Sequence, residues 1–273
     1  MLAMHPGIHI FDRPRTYEVT LNGLRVAFLG FPYARAVRFA FPRLLAMTDW
    51  THASADVRLL CVHQCFEGAT VGPVDYTFRF ADDVIRHADV PALVDAVLSG
   101  HIHRHQLLRH DLQGHPLATP VFYPGSIERT SFAERGEPKG FLELALDPAL
   151  PRRTDRYRLG STFRRLPARP MLTETVQADT PEHLSQSLQR IRASVPRDAI
   201  LRLEVRGPVA GASAQLLSAA NLRTMMGPAM NVEVRLGSSR QLRPARGYIK
   251  SAPVDNPRWW PDIIHSYNHP SRS

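Results

Sequence analysis

The sequence predicts an α/β protein: a layered sheet domain followed by a smaller α/β unit. Three observations predict it. Short apolar runs alternate with helical stretches through the first half of the chain. A seam rich in proline and arginine falls near Pro148–Arg158, and a strand–helix–strand–helix–strand order then returns between about Met171 and Leu236.

The elements follow in order. Tyr17–Leu21 and Leu24–Gly30 flank Asn22-Gly23, a dipeptide that favours a two-residue hairpin turn. Arg58–His63 is a continuous apolar run ending in polar residues, the pattern of a strand buried on both faces. Leu93–Gly100 repeats that plan and delivers His101-Ile102-His103. Val121–Tyr123 and Gly140–Leu146 read as further strands. Past the seam, Thr180-Pro181-Glu182 combines a capping hydroxyl, a first-turn proline and an acidic residue at the positive end of a helix. Leu184, Leu188, Ile191 and Val195 continue it at helical spacing. Leu201, Leu203 and Val205 alternate with charged residues as a half-exposed strand, a second helix spans Ala212–Met226, and Val232, Val234 and Leu236 form another strand. From Arg240 the tail is rich in arginine and proline and is expected to be irregular.

Composition bounds the function. A chain of 273 residues with 44% hydrophobic and 22% charged residues can bury a core and is not wholly disordered. No window approaches the ~18 apolar residues of a membrane-spanning helix. The stretch from Met1 to Arg13 lacks the basic-then-apolar layout of a secretory signal, and two cysteines make no disulfide framework. A reducing, cytoplasmic compartment is the expectation. All but two of the 34 basic residues are arginine, the exceptions being Lys139 and Lys250. Net charge is +9, divided as −2 over residues 1–150 and +11 over 151–273. Such asymmetry suits a polyanionic partner such as nucleic acid, although a merely soluble basic surface carries the same signature.

The chemistry concentrates at two strand ends. Gly100-His101-Ile102-His103 places two imidazoles at i and i+2 on a turn, where they can clasp one metal ion or reach two. His63 ends the other apolar run, so three imidazoles are expected at one sheet edge. Cys61 and His63 would share a face of that strand, but Cys65 lies past its end; buried thiols rather than zinc ligands are expected. No Gly-x-Ser-x-Gly nucleophile signature occurs.

Val62-His63-Gln64, Ser99-Gly100-His101-Ile102-His103-Arg104, Tyr123-Pro124-Gly125-Ser126-Ile127-Glu128-Arg129, Glu134 and Lys139-Gly140-Phe141 occur in that order. Together they resemble the calcineurin-like metallophosphoesterases, and among them the SbcD-type nuclease subunit of the SbcCD double-strand-break repair complex. Leu166-Pro167-Ala168-Arg169-Pro170-Met171 and the unit after it look like that family's capping domain. The resemblance implies the C-terminal part of a metallophosphoesterase domain over 1–150, an α/β capping domain over 151–240 and a tail over 241–273. It implies a two-metal, manganese-dependent phosphodiesterase acting on DNA ends beside an SMC-like ATPase, with room for a homodimer. His63 and His101 would hold one metal and His103 the other, while Arg104, Arg164, Arg165 and Arg169 would guide the phosphate backbone.

Three motifs of that family, Asp-x-His, Gly-Asp-x-x-Asp and Gly-Asn-His-Asp/Glu, should precede this segment, and none occurs. They supply the bridging aspartate, an asparagine ligand and the histidine that protonates the leaving group. The chain therefore reads as an N-terminally truncated nuclease, expected to bind manganese weakly and to cleave DNA poorly alone. The family's ATPase-binding helices are not evident after the cap; Trp259-Trp260 and Tyr267 could anchor a partner instead. A non-catalytic DNA- or partner-binding relative and a small-molecule phosphoesterase are the alternative readings.

Overall fold

A computed structural model describes residues 8–147 and 159–237, so the seam and the tail lie outside the described residues. The described residues form one compact unit.

The first elements are the hairpin strands β1 (Arg15–Leu21) and β2 (Leu24–Gly30), with Asn22 and Gly23 at φ 50° and 81° in the turn. Helix α1 (Val37–Ala46) follows, burying Val37, Phe41 and Leu45, and then β3 (Val57–Val62). Four two-residue strands come next: β4 (Cys65–Phe66), β5 (Thr70–Val71), β6 (Tyr76–Thr77) and β7 (Val84–Ile85). Strands β8 (Ala96–Ser99), β9 (Gln106–His110) and β10 (Pro116–Tyr123) complete a six-stranded sheet of order β1-β2-β3-β8-β10-β9. The inner pairs β2–β3, β3–β8 and β8–β10 are parallel, and both outer pairs are antiparallel. The mixed α/β class expected from the sequence is the one observed.

One expectation shifts in detail. The strand expected over Leu93–Gly100 begins only at Ala96, because Asp95 turns its carboxylate onto the backbone N–H of Arg58 (2.8 Å) and Leu93 is exposed. Strand β11 (Lys139–Leu146) pairs antiparallel with β12 (Leu159–Leu166) over eight residue pairs. The boundary expected at residue 150 lies outside the described residues. The β11–β12 pair packs on the sheet: Leu159, Leu142, Leu144 and Leu146 join Val26, Val57, Leu59, Ala96 and Phe122 in one apolar cluster.

The smaller unit has three parallel strands, β13 (Met171–Gln177), β14 (Ile200–Arg206) and β15 (Asn231–Leu236), in that order. Helix α2 (Pro181–Ser194) starts where its cap predicts, with Thr180 Oγ1 accepting from the backbone N–H of His183. The single helix expected over Ala212–Met226 is two, α3 (Gly211–Leu216) and α4 (Ala219–Met225). Leu184, Leu188, Leu201, Leu203, Val205 and Leu222 form the core of this unit on one face of the sheet. Its opposite face is polar, and there the Arg202 guanidinium lies 3.7 Å over the ring of Phe132, which belongs to the segment between β10 and β11. Among the described residues, no helix is long and apolar enough to cross a membrane.

Candidate metal centre

Parallel strands deliver their C-terminal residues side by side, and here the register aligns Val62 of β3 with Ser99 of β8. His63 follows the first strand and Gly100-His101 the second. The junction is sewn together by buried polar groups. The Ser99 hydroxyl donates to the Gln64 carbonyl (2.7 Å), as does the Tyr123 hydroxyl (3.1 Å), and Tyr123 in turn accepts from the Phe66 N–H (2.9 Å). Tyr123 is fully buried, so these bonds form away from competing water.

Close approach dictates the glycine. A Cβ on Gly100 would stand 2.6 Å from Nδ1 of His63, so only glycine lets the imidazole lie against this backbone. The His63 and His101 rings meet edge to face with centroids 5.2 Å apart. Tyr33, exposed on the loop after β2, stacks on His101 at 5.7 Å and sets its edge toward His63 at 6.5 Å. His101 itself holds φ 73°, a left-handed conformation that costs a non-glycine residue about 1–3 kcal/mol and clusters at functional sites. Burial, then the neighbouring His63 and His103, push the His101 imidazole down to about 4; burial and His103 also lower His63. Both rings are therefore neutral near pH 7, the form that donates a nitrogen lone pair to a metal.

His103 is turned to a different partner. Its Nδ1 lies 3.1 Å from Oε1 of Glu134, which also accepts from the Thr130 hydroxyl (2.8 Å). The other Glu134 oxygen takes the Lys139 ammonium at 2.5 Å. Burial works to raise the Glu134 carboxyl, but the bonds from His103, Lys139 and Thr130 outweigh it and hold the group at about 2. The turn at Gly125 (φ 80°) closes over the histidine loop: the Ser126 N–H donates to the His103 carbonyl (3.1 Å), and a Cβ on Gly125 would collide with that carbonyl at 2.9 Å.

The histidines are of a ligand type that divalent cations accept: two neutral imidazoles in ring contact, and a third bonded through Nδ1 to a carboxylate behind it. The oxygen donors of a two-metal centre are not assembled with them. Among the described residues, no group of three or more histidine, cysteine, aspartate or glutamate side chains is arranged to hold a metal ion.

Comparison with known proteins adds a distant likeness. No family model and no curated protein matches the sequence. Among solved structures, the chain is similar to a Staphylococcus aureus protein provisionally named as a 5'-nucleotidase, in complex with alpha-ketoglutarate. The identity is 15%, the TM-score 0.29, and the match covers 56% of this chain. The chain spans 29% of that protein's length.

The arginines expected at a nucleic-acid surface divide into two kinds. Arg104 is three-quarters buried and committed inward, bonding Glu137 (2.9 Å), Asp75 (2.6 Å), Thr70 (3.3 Å) and the Gly72 carbonyl (2.6 Å), which pins the β5–β6 hairpin. Arg164, Arg165 and Arg169 are exposed, the first paired with Glu143 (2.8 Å) and the last with Glu128 (3.5 Å). Cys61 and Cys65 are free thiols, their pKa pushed up to about 12 by burial. Sequence reasoning passed over Tyr33 and Thr130. No local pattern marks either one, because each reaches the site from a loop distant in sequence.

Proposed function

We propose that this chain supplies the histidine side of a metal-dependent phosphoesterase centre of the SbcD nuclease kind, acting on DNA phosphodiesters. The observation that carries the reading is the register of β3 and β8, which brings His63 and His101 into ring contact at the two strand ends. The ordered series of motifs, down to Lys139-Gly140-Phe141, supports the nuclease branch over other phosphoesterases. His63, His101 and His103 would hold manganese, which when bound polarises a phosphoryl oxygen and lowers the pKa of a bound water. The chain's own groups do the positioning: Gly100 admits the His63 ring, the Tyr123–Gln64–Ser99 bonds fix its loop, and Glu134 orients His103. A complete centre of that kind would also need carboxylate ligands and an acid that protonates the leaving group. An SMC-like ATPase is the proposed partner.

The test separates binding from turnover. Manganese added to the 273-residue chain should broaden the His63 and His101 side-chain NMR signals, while cleavage of linear duplex DNA stays weak. No effect on either ring would sink the metal reading. Robust manganese-dependent cleavage by the pure chain, abolished in His103→Ala, would show instead that its own residues complete the centre. The intact mass of the protein from its native cells locates the missing ligands. A mass above 30.7 kDa puts them on the same polypeptide. Among the described residues no group of three or more histidine, cysteine, aspartate or glutamate side chains is arranged to hold a metal ion, and this favours a second reading, a DNA-binding module without turnover. That module would bind DNA equally well with and without manganese.

A further inference from the structure

The basic residues of this chain are almost all arginine, yet one of its two lysines, Lys139, has a fully buried side chain. Its ammonium bonds Oε2 of Glu134 (2.5 Å), the Ser126 hydroxyl (2.9 Å) and the His103 carbonyl (3.1 Å), and it also lies 3.5 Å from Oε2 of Glu137. A compact, tetrahedral cation with three donors satisfies that set, whereas a planar guanidinium is longer and presents its donors in a fork. This lysine is thus shaped to its pocket.

What it holds is a carboxylate facing a histidine. Oε1 of Glu134 receives the Thr130 hydroxyl (2.8 Å) and the Ser131 hydroxyl (3.2 Å) as well as Nδ1 of His103 (3.1 Å). Thr130 Oγ1 is also 3.1 Å from that Nδ1. The single hydroxyl proton of Thr130 is already directed at Glu134, so toward His103 the threonine offers only a lone pair. Nδ1 of His103 therefore faces two acceptors and must carry the proton itself. With Nδ1 protonated, the lone pair of the neutral ring resides on Nε2, on the side away from Glu134.

We propose that Lys139 and Glu134 are positioning residues: a buried ion pair that locks His103 in the Nδ1–H tautomer and presents its Nε2 as a ligand. The lock itself is independent of the metal; its purpose rests on the phosphoesterase reading above. Either half of a buried pair could instead serve folding alone, and replacing both halves by apolar residues tells the two roles apart. The apolar pair Lys139→Met with Glu134→Leu removes both charges and leaves neither one stranded, while Glu137, 3.5 Å from the ammonium, keeps Arg104 as its cation at 2.9 Å.

The experiment uses the full chain labelled with 15N-histidine, with the His103 signals assigned by their loss in His103→Gln. Long-range proton–nitrogen spectra at pH 7.5 read the tautomer of each ring directly. The wild-type chain should show His103 as a single Nδ1–H form. The double variant should unfold cooperatively near the wild-type temperature and show a mixture of tautomers. Its manganese affinity, read from broadening of the His103 signals, should fall about 10–100-fold. A wild-type Nε2–H tautomer or a doubly protonated ring overturns the proposal, and decides it even where the double variant does not fold. A folded double variant that keeps one Nδ1–H form also overturns it and leaves the pair a structural role. If manganese leaves His103 unbroadened in a wild-type chain that shows the Nδ1–H form, the lock stands and the phosphoesterase reading falls.

Discussion

The site depends on residues whose cost is visible in the backbone. Gly100 is a case where one methyl group decides geometry: the added Cβ would sit 2.6 Å from Nδ1 of His63, a ring atom on a side chain that already borders His101. Gly100→Ala must therefore push the imidazole off the strand end. The expected cost is about 1–3 kcal/mol in urea unfolding, the usual penalty for overpacking a fitted site. Broadening of His63 by manganese should weaken together with it. Unchanged stability with wild-type His63 signals would show that the ring has another place to go. How much of this was legible in the sequence depends on distance along the chain. His63, His101 and His103 announced themselves because each follows an apolar run. The supports announced themselves only in part, since Glu134 meets His103 across 31 residues and Tyr123 bonds Gln64, the neighbour of His63, across 59. No local periodicity encodes a contact of that kind.

Elements were readable where local chemistry settles them and obscure where pairing does. The β1–β2 turn and the Thr180 cap are local, and both form where the sequence places them. Strand β9 was not foreseen, because Gln106–His110 has little apolar alternation and owes its pairing to β10 beside it. The partner of β11 was likewise hidden: its mate β12 lies beyond prolines and arginines that read as a domain edge. The break between α3 and α4 has a local cause that apolar spacing masked. Ser218 ends one helix and caps the next, its hydroxyl accepting from the backbone N–H of Asn221 (3.3 Å), while the Asn221 side-chain amide donates to the Leu216 carbonyl (2.8 Å). Ser218→Ala should cost about 1 kcal/mol by loss of that cap. Thermal unfolding checks it, with Ser194→Ala as a control whose hydroxyl bonds only carbonyls of its own helix. Equal effects from the two substitutions would mean that packing of Leu217 and Leu222, not the cap, sets the break.

At the scale of the molecule, charge is distributed less simply than the two halves of the sequence suggest. Of the net +11 after residue 150, residues 159–237 carry +4, and the rest belongs to 151–158 and 238–273. Among the described residues, acidic partners already occupy several arginines: Glu143 holds Arg164, Glu128 holds Arg169, and Glu233 holds Arg202. A pre-paired arginine must leave its carboxylate to meet a phosphate, so each contributes less to binding than an exposed arginine without that competition. DNA affinity of the whole chain should therefore fall steeply with salt, with a slope near −0.9 for each phosphate neutralised in duplex DNA. Arg165→Ser, at an exposed position near the end of β12, should reduce that slope by about 1. Arg104→Ser should leave the slope unchanged and instead loosen the β5–β6 hairpin, because its donors are spent on Glu137, Asp75, Thr70 and Gly72. Fluorescence anisotropy of a labelled duplex over a range of salt concentrations measures both variants against the wild-type chain. A slope lowered by Arg104→Ser but not by Arg165→Ser would place the phosphate path along the histidine loop rather than across β12.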